Sequence, residues 1–173
     1  RGFEAARHAP CHKQTHPWRF YVLGPAARGK IVDVADGLSR EKSAKIGEND
    51  VEKMATKKNF NVEMFEMNDV SMSDLQKMQN VAVVTSTTGH GDLPTNGEWF
   101  WGDLEKADID LSNMKYSVCA LGDSSHEEFC GAGKKVDTRL AELGARKVLS
   151  RVECDGDDTG SHKWAEEFLT KLQ

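Results

Sequence analysis

Three short stretches gather the residue types that hold a polar ligand. Residues 86–92 read Ser86, Thr87, Thr88, Gly89, His90, Gly91, Asp92, and residues 121–130 read Leu121, Gly122, Asp123, Ser124, Ser125, His126, Glu127, Glu128, Phe129, Cys130. Residues 24–30 add Gly24, Pro25, Ala26, Ala27, Arg28, Gly29 and Lys30. Hydroxyls, carboxylates and glycine-rich backbone supply hydrogen bonds and sharp turns rather than a nucleophile and its base. Ser125 and His126 adjoin, yet no acid stands where it would orient a hydrolytic triad. Arg28 and Lys30 favour an anion such as a phosphate, but Ile31 follows Lys30, so this is not the G-x-x-x-x-G-K-[ST] nucleotide loop. A bare loop-to-helix turn competes with an anion site there.

Each stretch needs a strand before it and a helix after it. Residues 18–23 (Trp-Arg-Phe-Tyr-Val-Leu), 81–86 (Val-Ala-Val-Val-Thr-Ser) and 118–121 (Val-Cys-Ala-Leu) are apolar runs suited to strands covered on both faces. Residues 61–67 read as a more exposed strand, and residues 146–152 as the last one. Helices are expected from Lys30 to about Gly47, continuing as a charged extension or surface excursion to Asn59, then briefly after Ser71 and Ser73. Trp99, Phe100, Trp101 and Leu104 mark an aromatic helix whose role is packing. Val136, Leu140 and Leu143 define a helix stopped by Gly144, and Trp164, Phe168 and Leu172 the inner face of the closing helix.

With 173 residues the chain is long enough for one domain with a proper core. A net charge of −5 argues against a general nucleic-acid binder, and no apolar run approaches membrane-spanning length. Cys11, Cys119, Cys130 and Cys154 show no C-x-x-C pairing, which favours reduced, intracellular thiols over a secreted disulfide framework. Residues 1–17 read as a basic tail, and residues 18–173 as the domain. The tail's composition resembles the remainder of an organellar presequence, plastid or mitochondrial. Its His8, Cys11, His12 and His16 have metal-like spacing, but Pro10 interrupts any helix that would align them.

Strands alternating with helices imply an α/β three-layer sandwich: a five-stranded parallel sheet, order 2-1-3-4-5, with helices on both faces. That order brings the loops after the first, third and fourth strands to one edge. Residues 86–92 resemble the S-T-x-G-x-G-[DE] loop, and residues 121–130 the L-G-D-[ST]-S-Y-x-x-F-C loop, of the flavodoxin-like family, particularly the FMN modules of sulfite reductase flavoprotein and diflavin reductases. Gly133, Lys134, Asp137, Leu140, Ala141, Glu142, Leu143 and Gly144 continue the match. The resemblance implies electron transfer through FMN with a redox protein or multisubunit electron-transfer complex as partner. By position, Gly24, Ala26, Ala27, Arg28, Gly29 and Lys30 would surround the phosphate. Ser86, Thr87, Thr88, Gly89, His90 and Gly91 would line one side of the flavin ring, and Leu121, Gly122, Asp123, His126 and Phe129 the other. The chain departs from the family pattern at the phosphate loop, which lacks hydroxyls, at Thr88, where an aromatic residue is common, and at His126, where Tyr is usual. The altered phosphate loop and the basic tail motivate an alternative, a flavin-free accessory subunit of a large respiratory or photosynthetic redox complex.

Overall fold

The computed structural model describes residues 19–25, 48–156 and 159–173. In chain order the elements are β1 (Arg19–Pro25), α1 (Glu48–Lys57), β2 (Phe60–Glu66), a 3-10 turn (Met67–Asp69), α2 (Met72–Leu75), β3 (Asn80–Ser86) and α3 (Glu98–Lys106). There follow β4 (Lys115–Gly122), α4 (Gly131–Glu142), β5 (Arg146–Lys147), β6 (Val152–Asp155) and α5 (Thr159–Leu172). The tail, the expected helix after Lys30, and Asp157 and Asp158 lie outside the described residues.

Strand β4 shows why the sheet carries helices on both faces. Tyr116, Val118 and Ala120 point toward α4, so closely that a Cβ on Gly133 would fall 2.3 Å from that of Ala120. Ser117, on the alternate face, accepts a hydrogen bond from Trp164 Nε1 of α5 at 2.7 Å and donates to the Leu149 carbonyl at 3.1 Å. Helices α3 and α4 pack together over one face, while α1 and α5 pack together over the other. Val81, Ala82, Val83 and Val118 are fully buried, as the continuous apolar runs require. Trp164 and Phe168 stack with ring centroids 6.0 Å apart.

The strand order is β2-β1-β3-β4-β5, with β6 also pairing β4. Strands β3, β4, β5 and β6 are joined by parallel pairings. Strand β1 departs from the expected all-parallel sheet: it is antiparallel to both β2 and β3, with Pro25 opposite Phe60 and Phe20 opposite Val83. The physical reason is that an apolar run has the same two-residue period in either direction. It marks a buried strand without fixing its polarity.

The last expected strand is divided. Val148 N–H still donates to the Tyr116 carbonyl at 3.1 Å, but Ser117 Oγ takes the Leu149 carbonyl, and the ladder resumes only at Val152. Helix α3 corrects a second expectation. Phe100 and Leu104 are buried and Trp101 packs beside them, whereas Trp99 is 76% exposed. A single helical stripe can face the sheet, and Trp99 lies outside it. Asn68 caps α3 from a distance, its Oδ1 accepting from the Trp99 and Phe100 N–H groups at 3.1 Å each.

Candidate functional site

The carboxyl ends of β3, β4 and β6 meet at one edge, laced by backbone hydrogen bonds. Thr87 N–H donates to the Leu121 carbonyl at 3.1 Å, and Gly156 N–H to the Gly122 carbonyl at 2.8 Å. The loop after β3 closes on itself: Thr88 and Asp92 exchange two backbone hydrogen bonds of 2.9 Å, and Thr88 Oγ1 donates to the Leu93 carbonyl at 3.2 Å. Thr88, Gly89 and His90 stand exposed on this turn. Asp92 is tied to Lys135 of α4 at 3.0 Å, and that hydrogen bond holds its carboxyl below the usual carboxylate range.

The loop after β4 is shaped by its own carboxylates. Asp123 Oδ1 accepts from Ser125 N–H at 2.9 Å and Ser125 Oγ at 2.6 Å, and its backbone carbonyl accepts from His126 N–H at 3.0 Å. Asp155, at the end of β6, accepts from Ser124 N–H at 2.8 Å and from Ser124 Oγ. Asp155 lies beyond the strand expected over residues 146–152, and that expectation did not include this brace. A carboxylate at the same end of a neighbouring strand was the available signal.

Two close approaches join the loops. Gly91 has φ +82°, and a Cβ on Gly131 would sit 2.7 Å from the Gly91 Cα, so the start of α4 rests directly on the β3 loop. A Cβ on Gly122 would lie 2.8 Å from Cys130 N and 3.0 Å from Phe129 Cδ2. Cys130 itself takes the left-handed conformation (φ 56°, ψ 24°) before α4. Its thiol is buried against the Ala120 carbonyl at 3.4 Å, and burial pushes its pKa up to about 11. Cys119, Cys130 and Cys154 are all buried.

Ser86 Oγ is 2% exposed in its residue and has no hydrogen-bond partner among the described residues. Such a hydroxyl at a ligand edge is a vacant donor and acceptor. The structure thus brings Ser86, Thr87, Thr88, Gly89, His90 and Gly91 together with Leu121, Gly122, Asp123, His126 and Phe129. It does not bring Gly24 to them. The reversal of β1 sets Gly24 opposite Asn61, at the edge where β3 begins. Ala26, Ala27, Arg28, Gly29 and Lys30 lie outside the described residues.

Helices on both faces, the order 2-1-3-4-5 and two hydroxyl-and-glycine loops at one sheet edge define a flavodoxin-like α/β domain. The chain belongs to the flavodoxin family, whose model (Flavodoxin) matches residues 49–168. It is 37% identical over 154 residues to the sulfite reductase [NADPH] flavoprotein alpha-component of Vibrio parahaemolyticus, covering 88% of this chain and 23% of that protein. To NADPH oxidoreductase A of Dictyostelium discoideum it is 35% identical, covering 70% of this chain and 19% of the relative. The chain therefore spans less than a quarter of the length of these relatives. A solved flavodoxin from Streptococcus pneumonia TIGR4 superposes with TM-score 0.64 at 27% identity, covering 80% of this chain and 91% of that one. No helix among the described residues is long and apolar enough to cross a membrane.

Proposed function

We propose that this flavodoxin-like domain binds FMN at the edge formed by the two loops and exchanges electrons with a partner redox protein or electron-transfer complex. The observation that carries the reading is the buried Ser86 hydroxyl, without a partner among the described residues, beside two interlocked loops. These residues suit the flavin ring. Ser86, Thr87, Thr88, Gly89, His90 and Gly91 flank one side, and Leu121, Gly122, Asp123, His126 and Phe129 the other. His126, exposed on its loop, offers a flat ring where the family commonly has Tyr. When bound, FMN supplies the redox chemistry, while the chain holds it and excludes water.

Gly24 does not fit the phosphate end, because it lies at the opposite edge of the sheet. Arg28 and Lys30, with Ala26, Ala27 and Gly29, are assigned to the phosphate on charge and sequence position alone. Exposed acids at Asp103, Asp108 and Asp110 and at Glu153 and Asp155 would steer a basic partner more than they fix its affinity. Electrons would come from another domain or chain.

Fluorescence titration with FMN and, separately, riboflavin tests the reading. Saturable quenching by both flavins supports ring binding at the two loops, and absence of quenching by either overturns it. The substitution Arg28→Ala then decides the phosphate assignment. If Arg28 meets the phosphate, FMN affinity falls while riboflavin affinity holds; equal affinities for FMN before and after the change dismiss it.

A further inference from the structure

Lys134 occupies the first turn of α4, where the helix dipole disfavours a cation. Its side chain runs back toward the ligand edge. Nζ donates to the Phe129 carbonyl at 2.7 Å and lies 5.5 Å from the centre of the Phe129 ring. The ring also lies against Gly122, where a Cβ would fall 3.0 Å from Phe129 Cδ2. Phe129 is thus held between a glycine and an ammonium group.

The ammonium is itself held. Glu153 Oε2 lies 3.5 Å from Lys134 Nζ, and Glu153 Oε1 accepts from Arg151 Nε and Nη2 at 3.0 and 2.7 Å. Arg151 Nη1 donates to Asp137, a carboxylate 2% exposed that also takes Tyr116 Oη at 3.0 Å and Lys147 Nζ at 2.8 Å. A continuous ionic chain therefore runs from a buried anchor in the core, Asp137, through Arg151, Glu153 and Lys134, to the residue bordering the ligand edge. A buried, fully partnered carboxylate is a rigid origin for such a chain. An exposed ion pair by itself would not be.

We propose that Lys134 is a positioning residue, fixing the backbone and ring of Phe129 so that the β4 loop is set before flavin arrives. The effect on flavin rests on the FMN reading above; the effect on the loop does not. The variants Lys134→Met, Lys134→Arg and Glu153→Gln are compared in the full chain by hydrogen exchange of amides 124–131 without flavin, and by FMN titration. With Lys134→Met, exchange of that stretch is expected to speed up about tenfold while β3 and β4 keep their rates, the scale of one lost charged hydrogen bond. Lys134→Arg should recover most of the protection, and Glu153→Gln should lose less than Lys134→Met. FMN affinity should fall about tenfold in Lys134→Met, in step with the loop. Unchanged loop exchange in Lys134→Met overturns the proposal, and so does an equal acceleration in β3 and β4, which would make Lys134 a general stabiliser. If the unsubstituted protein binds no flavin, the FMN reading falls and hydrogen exchange alone decides the role of Lys134.

Discussion

Ser86 and Cys130 show how single side chains at this edge trade stability against a site. Leaving a buried hydroxyl unpaired costs about 1–3 kcal/mol, so Ser86→Ala should raise the stability of the flavin-free protein by about 1 kcal/mol while weakening FMN binding. Denaturant unfolding and flavin titration of the same variant check both halves; a variant that loses stability would mean that Ser86 is satisfied. Cys130 makes a pH prediction. Its thiol pKa rises from an ordinary value of 9.0 to about 11, chiefly because burial disfavours the thiolate, with Glu153 adding to the effect. Folded and unfolded chains both hold the proton below pH 9, so the difference is silent there. Between 9 and about 11 the unfolded chain ionises first, and stability falls. Tyr116, raised by burial and then by Asp137, adds to the loss further up the alkaline range. Thermal melts across this range should fall less steeply for Cys130→Ala than for the unsubstituted protein; parallel curves would contradict the assignment. In the folded protein the same thiol should resist alkylation at neutral pH.

At the scale of elements, the helices were legible wherever an apolar stripe named the buried face. Val136 and Leu140 are buried in α4, and Trp164 and Phe168 in α5, as their spacing requires. Less legible was what sequence spacing does not encode. Strand polarity left no mark in residues 19–25, and the interruption between β5 and β6 depends on Ser117 reaching across to Leu149. Asn68 capping α3 and Asp155 bracing Ser124 are likewise contacts between residues distant in sequence. Because Asn68 satisfies two free N–H groups of α3, Asn68→Ala should cost about 1 kcal/mol, measured by denaturant unfolding. Asp137→Ala should cost about 1–3 kcal/mol, since it takes one of two carboxylates from Arg151, removes the partner of Lys147 and leaves Tyr116 Oη without its carboxylate. The direction of β1 has its own signature. Antiparallel pairing of Phe20 with Val83 and Val22 with Val81 predicts cross-strand Hα–Hα nuclear Overhauser contacts that a parallel arrangement lacks. Parallel-type contacts would return Gly24 to the ligand edge and restore the three-loop site expected from sequence.

At the scale of the whole molecule, the chain belongs to the flavodoxin family, matching its model over residues 49–168 and one portion of longer reductase relatives. Two of its three expected ligand loops converge, and these are the two whose motifs carried the family resemblance. The third, residues 24–30, precedes the family match at 49–168 and lacks the hydroxyls of the family pattern. The fold and the meeting of these two loops were thus readable from local motifs, whereas the position of Gly24 depended on the course of β1. With a net charge of −5, association with a basic redox partner should slow as ionic strength rises, because screening removes long-range steering. The most direct test of flavin binding is the visible spectrum of the full chain after incubation with micromolar FMN and removal of free flavin by gel filtration. The predicted result is a flavin band that co-elutes with the protein and weakens in Ser86→Ala. A colourless protein peak would contradict FMN binding and favour the flavin-free accessory alternative.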